Sequence, residues 1–277
     1  MKEFKPMLAH VYTDQNQIDW GQPVYMQPKL DGVRCIFTKD GAFSRTGKRF
    51  MNVKHIEEEL QELFKQKPNL ILDGELYNHR LKDDFEKIIS LVRKQKPTDE
   101  DRSEARRLTQ YHVYDYVDGS SFDYKKRQDN LTCSDMYCPS IHYTETIKVA
   151  TPAMIKVLHQ RFLDKGYEGS IIRLNGEYEQ KRSKNLLKVK DFSDSEAEIT
   201  GFVEGKGKRL GTIGKFIAVD SQGMQFGMPV MDKFKYLQDN FKEMQTWTGK
   251  IATFTYFERT KAGSYRHPLF KAIRNYE

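Results

Sequence analysis

A chain of 277 residues that is 38% hydrophobic, with 17 Phe and 15 Tyr, has material for a core and length for one large domain or two unequal ones. Its 46 basic and 39 acidic residues leave a formal charge of +7, which favours a polyanionic partner over an acidic protein, although many soluble enzymes are as basic. Cys35, Cys133 and Cys138 form neither a zinc framework nor a disulfide scaffold, the charged start (Lys2, Glu3, Lys5) argues against a signal peptide, and no stretch reaches transmembrane length, so a cytoplasmic protein is expected.

Residues 1–23 are irregular in pattern, with Phe4-Lys-Pro-Met-Leu8 suited to an extended, packed arm. Two apolar runs follow, Val24 to Met26 and Val33 to Phe37, joined through Asp31-Gly32, a turn pair with a hairpin preference. This places Lys29 at a strand end beside a tight turn, with Arg34 five residues on. A lysine among cations loses its proton more readily and serves as a nucleophile. Arg34, and later Lys188 and Lys190, are the candidates to supply that charge and hold a phosphate. By itself, a lysine beside an Asp-Gly turn is usually a solvated charge. Phe43-Ser-Arg-Thr-Gly47 puts Arg45 in a turn, a candidate phosphate contact.

Asn52 is expected to cap a helix whose apolar face is Val53, Ile56, Leu60 and Leu63; Glu57, Glu58 and Glu59 read as its solvated side, and Pro68 as its stop. Leu70 to Leu76 reads as a short strand carrying Asp73 and Glu75, two apart and so on one face, where a carboxylate can hold a metal or accept from a ribose hydroxyl. Asp83 or Asp84 caps a helix bearing Phe85, Ile88, Ile89 and Val92, and Lys94 to Arg107 reads as an exposed charged loop running at most into a short helix. Tyr111 to Val117 is an aromatic strand. Such rings usually fill cores, but in nucleic-acid sites they stack on bases for roughly 1–3 kcal/mol each, which leaves Tyr111, Tyr114 and Tyr116 as rivals.

Residues 119–145 are mixed, with a basic run at Lys125, Lys126 and Arg127 and a strand at Ile141 to Thr144. Thr151-Pro152 opens a helix with Ile155, Leu158 and Phe162 inward and Gly166 at its end. Glu168 stands at the entrance of the next apolar strand, a position suited to a metal ligand, though a lone Glu is more often only polar. From Lys181 to Lys190 there are five basic residues and no acid. Lys188 and Lys190 alternate with Leu187 and Val189, so they share a strand face and repel unless an anion lies between them. Polar Asp191 to Glu196 marks a boundary between domains 1–190 and 191–277. The second domain shows strands at Ile199 to Val203, Ile213 to Val219 and Ile251 to Phe257, a turn at Asp220 to Gly223, and one helix marked by Phe234, Leu237, Phe241 and Met244. Its size and pattern suit a small OB-fold β-barrel. Gly205 to Arg209 reads as a flexible basic loop whose Lys206, Lys208 and Arg209 suit a DNA backbone. The chain closes on Arg266-His-Pro-Leu-Phe270 and Ile273-Arg274.

Six of these segments, in this order, resemble the motif series of the covalent nucleotidyltransferases. Lys29-Leu-Asp-Gly-Val-Arg34 resembles motif I, KxDGxR; Asp73-Gly-Glu75 resembles motif III; Tyr114-Asp115 lies in a segment resembling motif IIIa; Glu168-Gly…Arg173 resembles motif IV; Lys188-Val-Lys190 resembles motif V; and Arg266-His-Pro-Leu-Phe270…Ile273-Arg274 resembles motif VI of ATP-dependent DNA ligases, which in capping enzymes is composed differently. The resemblance implies an α+β fold, with a nucleotidyltransferase (adenylation) domain of antiparallel sheets flanked by helices, then an OB-fold domain. It implies that Lys29 carries the nucleotide, Glu75 sits in the nucleotide pocket and takes part in metal- or nick-dependent steps, Tyr114 stacks on adenine, and Glu168 binds the divalent ion. Lys188 and Lys190 would contact the α-phosphate and favour the free amine of Lys29, Arg45 would meet the phosphate end of the nick and the nucleotide site, and Arg266 would orient pyrophosphate.

An ATP-dependent DNA ligase is the leading member, using ATP and Mg²⁺ (or Mn²⁺) on nicked double-stranded DNA. The chain lacks the added domains and zinc cysteines of NAD-dependent ligases. A monomer in a bacterial cytoplasm or a virus-infected cell, with accessory replication or repair proteins, is expected. An RNA ligase or an mRNA-capping guanylyltransferase is the alternative. A non-enzymatic DNA-binding remnant fits poorly with intact Lys29, Glu75, Glu168, Lys188 and Lys190. Between Phe202 and Ile213 there is room for only a short basic loop, where certain minimal viral ligases carry a long latch.

Overall fold

The computed structural model describes residues 4–13, 18–132, 138–189, 193–257, 259–260 and 262–274, and the chain divides into two compact units, 1–190 and 191–277. The first runs β1 (Leu8–Val11), β2 (Val24–Lys29), β3 (Val33–Thr38), β4 (Gly41–Ser44), α1 (Lys54–Gln66), β5 (Ile71–Tyr77), α2 (Phe85–Val92), α3 (Asp99–Leu108), β6 (Gln110–Val117), α4 (Tyr124–Thr132), β7 (Ile141–Tyr143), β8 (Ile147–Val149), α5 (Pro152–Asp164), β9 (Gly169–Leu174) and β10 (Arg182–Val189).

Among the described residues these strands make two five-stranded sheets, β1-β10-β9-β2-β8 and β4-β3-β5-β6-β7. Both are mixed rather than antiparallel as expected, because the N-terminal arm adds β1 parallel to β10 and β7 adds parallel to β6. The arm packs as anticipated: Met7 is buried and Phe4 stacks on Tyr178 at 6.0 Å.

The Asp31-Gly32 turn is not a hairpin. β2 pairs with β8 and β9, β3 pairs with β4 and β5, and the chain crosses there from one sheet to the other. Gly32 is needed for closeness, since a Cβ there would lie 2.3 Å from the Leu76 carbonyl oxygen.

Local signals decide several elements differently from the expectation. α1 begins at Lys54 after Val53, and Asn52 does not cap it; its amide instead donates to the Leu91 carbonyl at 2.8 Å. The stretch read as a loop running into a short helix is helical over residues 99–108, opened by a Thr98–Asp101 capping box. Asp84 caps α2 and Thr151 caps α5 as read. Glu57 and Glu59 are engaged rather than solvated: Glu57 takes Arg49, and Glu59 accepts from the Ser140 hydroxyl at 2.7 Å. The strand expected only near Lys188 begins at Arg182.

One core lies on the second sheet with α1 and α2, around Phe37, Ile56, Leu60, Leu76 and Tyr111. Another lies on the first sheet with α5, around Met26, Ile155, Phe162 and Ile172. A buried polar network joins the two sheets. Asp115 of β6, fully buried, accepts from Arg127 Nε of α4 at 2.7 Å and from an Arg173 guanidinium nitrogen of β9 at 2.8 Å. Arg173 Nε also donates to Gln27 of β2 at 2.6 Å.

The second unit runs β11 (Ser193–Glu204), β12 (Ile213–Val219), β13 (Gln225–Pro229), α6 (Phe234–Asp239), α7 (Phe241–Gln245), β14 (Ile251–Tyr256) and β15 (Leu269–Ile273). Its strands pair antiparallel in the order β13-β12-β11-β14-β15. This is an open order: among the described residues β13 and β15 do not pair, so the expected closed barrel is not present in the ladder. The expected linker is already strand from Ser193, while residues 190–192 lie outside the described residues. The single helix expected over 234–244 is two, because the Asn240 side chain bonds back to the Tyr236 carbonyl at 2.8 Å and ends α6.

Removing the carboxylate between two buried guanidiniums leaves both uncompensated. Asp115→Ala is expected to destabilise the chain by about 3–5 kcal/mol. Lys125→Ala, which breaks only an exposed pair with Asp129, should leave the urea midpoint unchanged. Urea denaturation of the two variants beside the parent checks this; equal midpoints for Asp115→Ala and the parent would refute it.

Candidate active site

β2 ends at Lys29, which sits opposite Gly169 of β9. The chain just before β9 is tied to it, the Glu168 amide donating to the Lys29 carbonyl at 3.1 Å. The Glu168 carboxylate, 8% exposed as a residue, accepts from Lys29 Nζ in an ion pair. Gly169 has φ 151°, and a Cβ there would stand 2.4 Å from the Val189 carbonyl oxygen, so only glycine lets the chain turn from Glu168 into the sheet.

Beside Lys29 opens a cavity of about 280 Å³. Its polar wall includes Arg34, Arg45, Glu75, Tyr114, Arg173 and Lys188, and Ile171 and Leu186 are on its apolar side. Glu75 stands opposite Arg34 on β5. Burial pushes its carboxyl up to about 8; Lys29 and Arg34 pull it down, and Asp73 and Glu168 push with the burial.

Tyr114 reaches the cavity through a β-bulge. Across β5 and β6, Asp73 faces Asp115 while Gly74 faces Val113, so Tyr114 has no opposite residue. Its ring centroid lies 5.2 Å from the Arg173 guanidinium carbon and 5.7 Å from that of Arg34. The two rival tyrosines are in the core: Tyr111 packs on Phe37 and donates to the Cys35 carbonyl at 3.1 Å, and Tyr116 accepts from Asn130 at 2.8 Å.

Arg34, expected to supply charge and hold a phosphate, lines the cavity with its guanidinium already engaged. It grips Asp73 with two hydrogen bonds, 2.9 and 2.5 Å, while the Tyr178 hydroxyl donates to the same carboxylate at 2.7 Å. Asp73 and Tyr178 were not anticipated as supports of the site. The Asp73–Glu75 spacing was the available signal for the first; the second had none locally. Arg173, read only as the end of a motif, both lines the cavity and joins the sheets.

Arg45 is exposed at the rim and Lys188 lines the wall, whereas Lys190 lies outside the described residues. In the second unit, the basic loop is ordered rather than open: residues 207–209 form a 3₁₀ turn, the Gly205 amide donates to the Thr212 carbonyl at 2.9 Å, and Arg209 donates to the Val230 carbonyl at 2.7 Å. Lys206 and Lys208 are exposed. Arg266, in that same unit, lies over the Phe257 ring at 5.7 Å, next to His267 at φ 51°.

No group of three or more His, Cys, Asp or Glu among the described residues forms a ready cage for a cation. Glu75 and Glu168 nevertheless suit Mg²⁺, which is commonly held by one or two carboxylates with substrate phosphates and water completing the shell. Burial is the main cause of the raised Glu75 carboxyl, and a cation beside it would favour its ionised form.

A domain family described as "ATP dependent DNA ligase domain" matches residues 6–190. The DNA ligase of African swine fever virus (isolate Tick/South Africa/Pretoriuskop Pr4/1996) is 32% identical over 207 residues, 68% of this chain and 46% of that protein. The chain therefore spans about half the length of that relative. The DNA ligase of Haemophilus influenzae is 26% identical over 270 residues, 95% of this chain and 90% of its own. Among solved structures, one from a study of DNA binding by Lig E DNA ligases superposes with a TM-score of 0.80 at 22% identity, covering 98% of this chain and 99% of that one, a likeness of fold. No helix among the described residues is long and apolar enough to cross a membrane.

The Glu75 shift has a fixed sign. Between pH 4.5, the ordinary value, and about 8 the folded chain holds a proton that the unfolded chain has released, so this group's contribution to stability falls as pH rises through that window. Glu75→Gln should gain on the parent across it, with the gap widest above pH 8. Urea midpoints from pH 4.5 to 9 check this; a gap independent of pH refutes it.

Proposed function

The chain belongs to the ATP-dependent DNA ligase family, within the nucleotidyltransferase superfamily, and we propose that it seals 5′-phosphate/3′-hydroxyl nicks in duplex DNA through a lysine–AMP intermediate and a DNA-adenylate. The observation that carries this reading is Lys29 at the mouth of a cavity that also holds Tyr114, Glu75 and Lys188, with Glu168 against its amine.

Lys29 Nζ attacks the α-phosphate of ATP. The N–P bond forms, pyrophosphate leaves with the former bonding pair, and the lysine proton has Glu168 beside it as acceptor. Tyr114 stacks on adenine. Glu75 accepts from the ribose or shares the metal with Glu168. Lys188, with Lys190, neutralises the α-phosphate, while Arg34, locked to Asp73, presents charge without side-chain freedom to lose. Magnesium or manganese at Glu75 and Glu168 would supply charge neutralisation on the phosphates. Arg266 is assigned to pyrophosphate departure. Arg45 receives the 5′-phosphate, which takes the adenylate from Lys29; the 3′-hydroxyl then displaces AMP and closes the strand. We read the second unit as an OB-type module, supported by the 12-residue β11, whose register shifts against β12 curl a sheet. The same reading makes the protein a monomer working in a bacterial cytoplasm or a virus-infected cell, with replication or repair proteins as its accessories.

The test is label transfer. With Mg²⁺, α-labelled ATP should label the parent and not Lys29→Ala, and nicked duplex should discharge the label into sealed DNA. Labelling from GTP would move the chain to the capping class. No label from either nucleotide, in folded protein free of bound AMP, would overturn the reading.

A second outcome concerns the basic loop. Replacing Lys206, Lys208 and Arg209 with alanine should spare self-adenylation and lower the slope of log affinity for a nick against log salt by about 0.9 per lost phosphate contact. Because Arg209 is bonded to Val230, the fall should be near 2 contacts rather than 3. Filter binding between 50 and 200 mM salt reads it, and equal loss of labelling and binding would refute it.

A further inference from the structure

A second cavity, about 560 Å³, shares Arg34 and Arg45 with the lysine cavity. Lys48 and Arg93 also line it, and no acidic residue does. Arg34 is neutralised by Asp73. The side chains of Arg45, Lys48 and Arg93 form no ion pair with another described residue. Three unpaired cations around one concavity repel each other unless an anion enters.

The loop that presents two of them is held in shape by bonds that leave their charges free. The Ser44 hydroxyl accepts from the Lys48 amide at 3.0 Å, the Ser44 amide donates to the Lys48 carbonyl at 2.8 Å, and the Gly47 amide donates to the Ser44 carbonyl at 2.9 Å. Arg93 arrives from a different element, the C-cap of α2. A cation there also complements the helix dipole, which explains Arg93 but not its convergence with Lys48 and Arg45.

Resting on the ligase reading, we propose that this cavity binds internucleotide phosphates of the DNA strand whose 5′ end reaches Lys29, with Lys48 and Arg93 as their ligands. Arg45, common to both cavities, marks where the terminal phosphate is followed by the next. The shared chemistry, a phosphate group, could also be brought by the outer phosphates of ATP, and the two sources separate experimentally.

Three measurements on the Lys48→Ala/Arg93→Ala double variant and the parent decide it. Labelling of Lys29 at limiting ATP should stay within about twofold of the parent. Affinity for a nicked duplex should fall, and its log–log salt slope should drop by about 0.9 for each of the two contacts. Methylphosphonates at the second and third phosphates from the 5′ end should weaken binding by the parent and add no further loss in the variant. Unchanged affinity and slope would overturn the proposal, as would a labelling defect cured by high ATP, which would give the cavity to the nucleotide. Failure of the ligase reading itself shows separately, as absence of Lys29-dependent label in the parent. Circular dichroism confirms that α2 survives; if it does not, Lys48→Ala alone, expected to lower the slope by half as much, carries the test.

Discussion

Asp115 and its two guanidiniums are the constraint on which the site depends. The carboxylate is out of water, and so are Arg127 and Arg173. Burying three charges is poorer for stability than packing apolar side chains of the same volume, unless every remaining proton finds an acceptor. Here the acceptors are present: Arg127 also donates to the Phe122 and Gly176 carbonyls at 2.6 and 3.1 Å, and Arg173 to Gln27. What the network supplies is position. β9 is the neighbour of β2, and β6 the neighbour of β5. A bond from β9 to β6 therefore sets the strand that ends in Lys29 against the strands that carry Glu75 and Tyr114.

That network was invisible to local reading, and the reason is physical. Lys125-Lys126-Arg127 looks like one solvated run, and two of its members are exposed. Arg127 is only 3% exposed because it lies on the inner face of α4 with Tyr124 and Leu131, at i−3 and i+4. The spacing was in the sequence, but hydropathy counts an arginine as outward whatever its phase. Tyr114 is the complementary case. Strict alternation on β6 groups Tyr114 with Tyr116, and only the bulge, which needs knowledge of the partner strand, sends Tyr114 into the cavity and Tyr116 into the core.

The residues assigned to the proposed chemistry were more legible than the connections between them. Lys29 at a strand end, Glu168 at a strand entrance and the face shared by Asp73 and Glu75 follow from short-range geometry. Pairing is not short-range. Asp31-Gly32 carries a hairpin preference, but β2 and β3 bury their side chains in different cores, and two cores need two sheets. Likewise, the charge of residues 94–107 hides a helix whose cap, Thr98 with Asp101, outweighs its lack of an apolar stripe. Lys94, Arg102 and Arg106 then bond Asp101, the Met51 carbonyl and Glu58, which a loop of that composition would leave in water.

Charge balance at Lys29 links this architecture to the proposed chemistry. Lys29 faces two carboxylates: Glu168, which accepts a hydrogen bond from its amine, and Glu75, whose own carboxyl is driven up to about 8 by burial. In the proposed reaction Glu168 stands where it can receive the proton that the amine must lose, while Glu75 resists ionising chiefly because it is buried. A divalent cation held by Glu75 and Glu168 would add positive charge beside both carboxylates and so favour the ionised form of Glu75. Glu75→Gln removes a titrating group beside Lys29 without removing the hydrogen-bond partner of its amine, whereas losing Glu168 removes the partner itself, so the two acidic residues are not interchangeable despite facing the same amine.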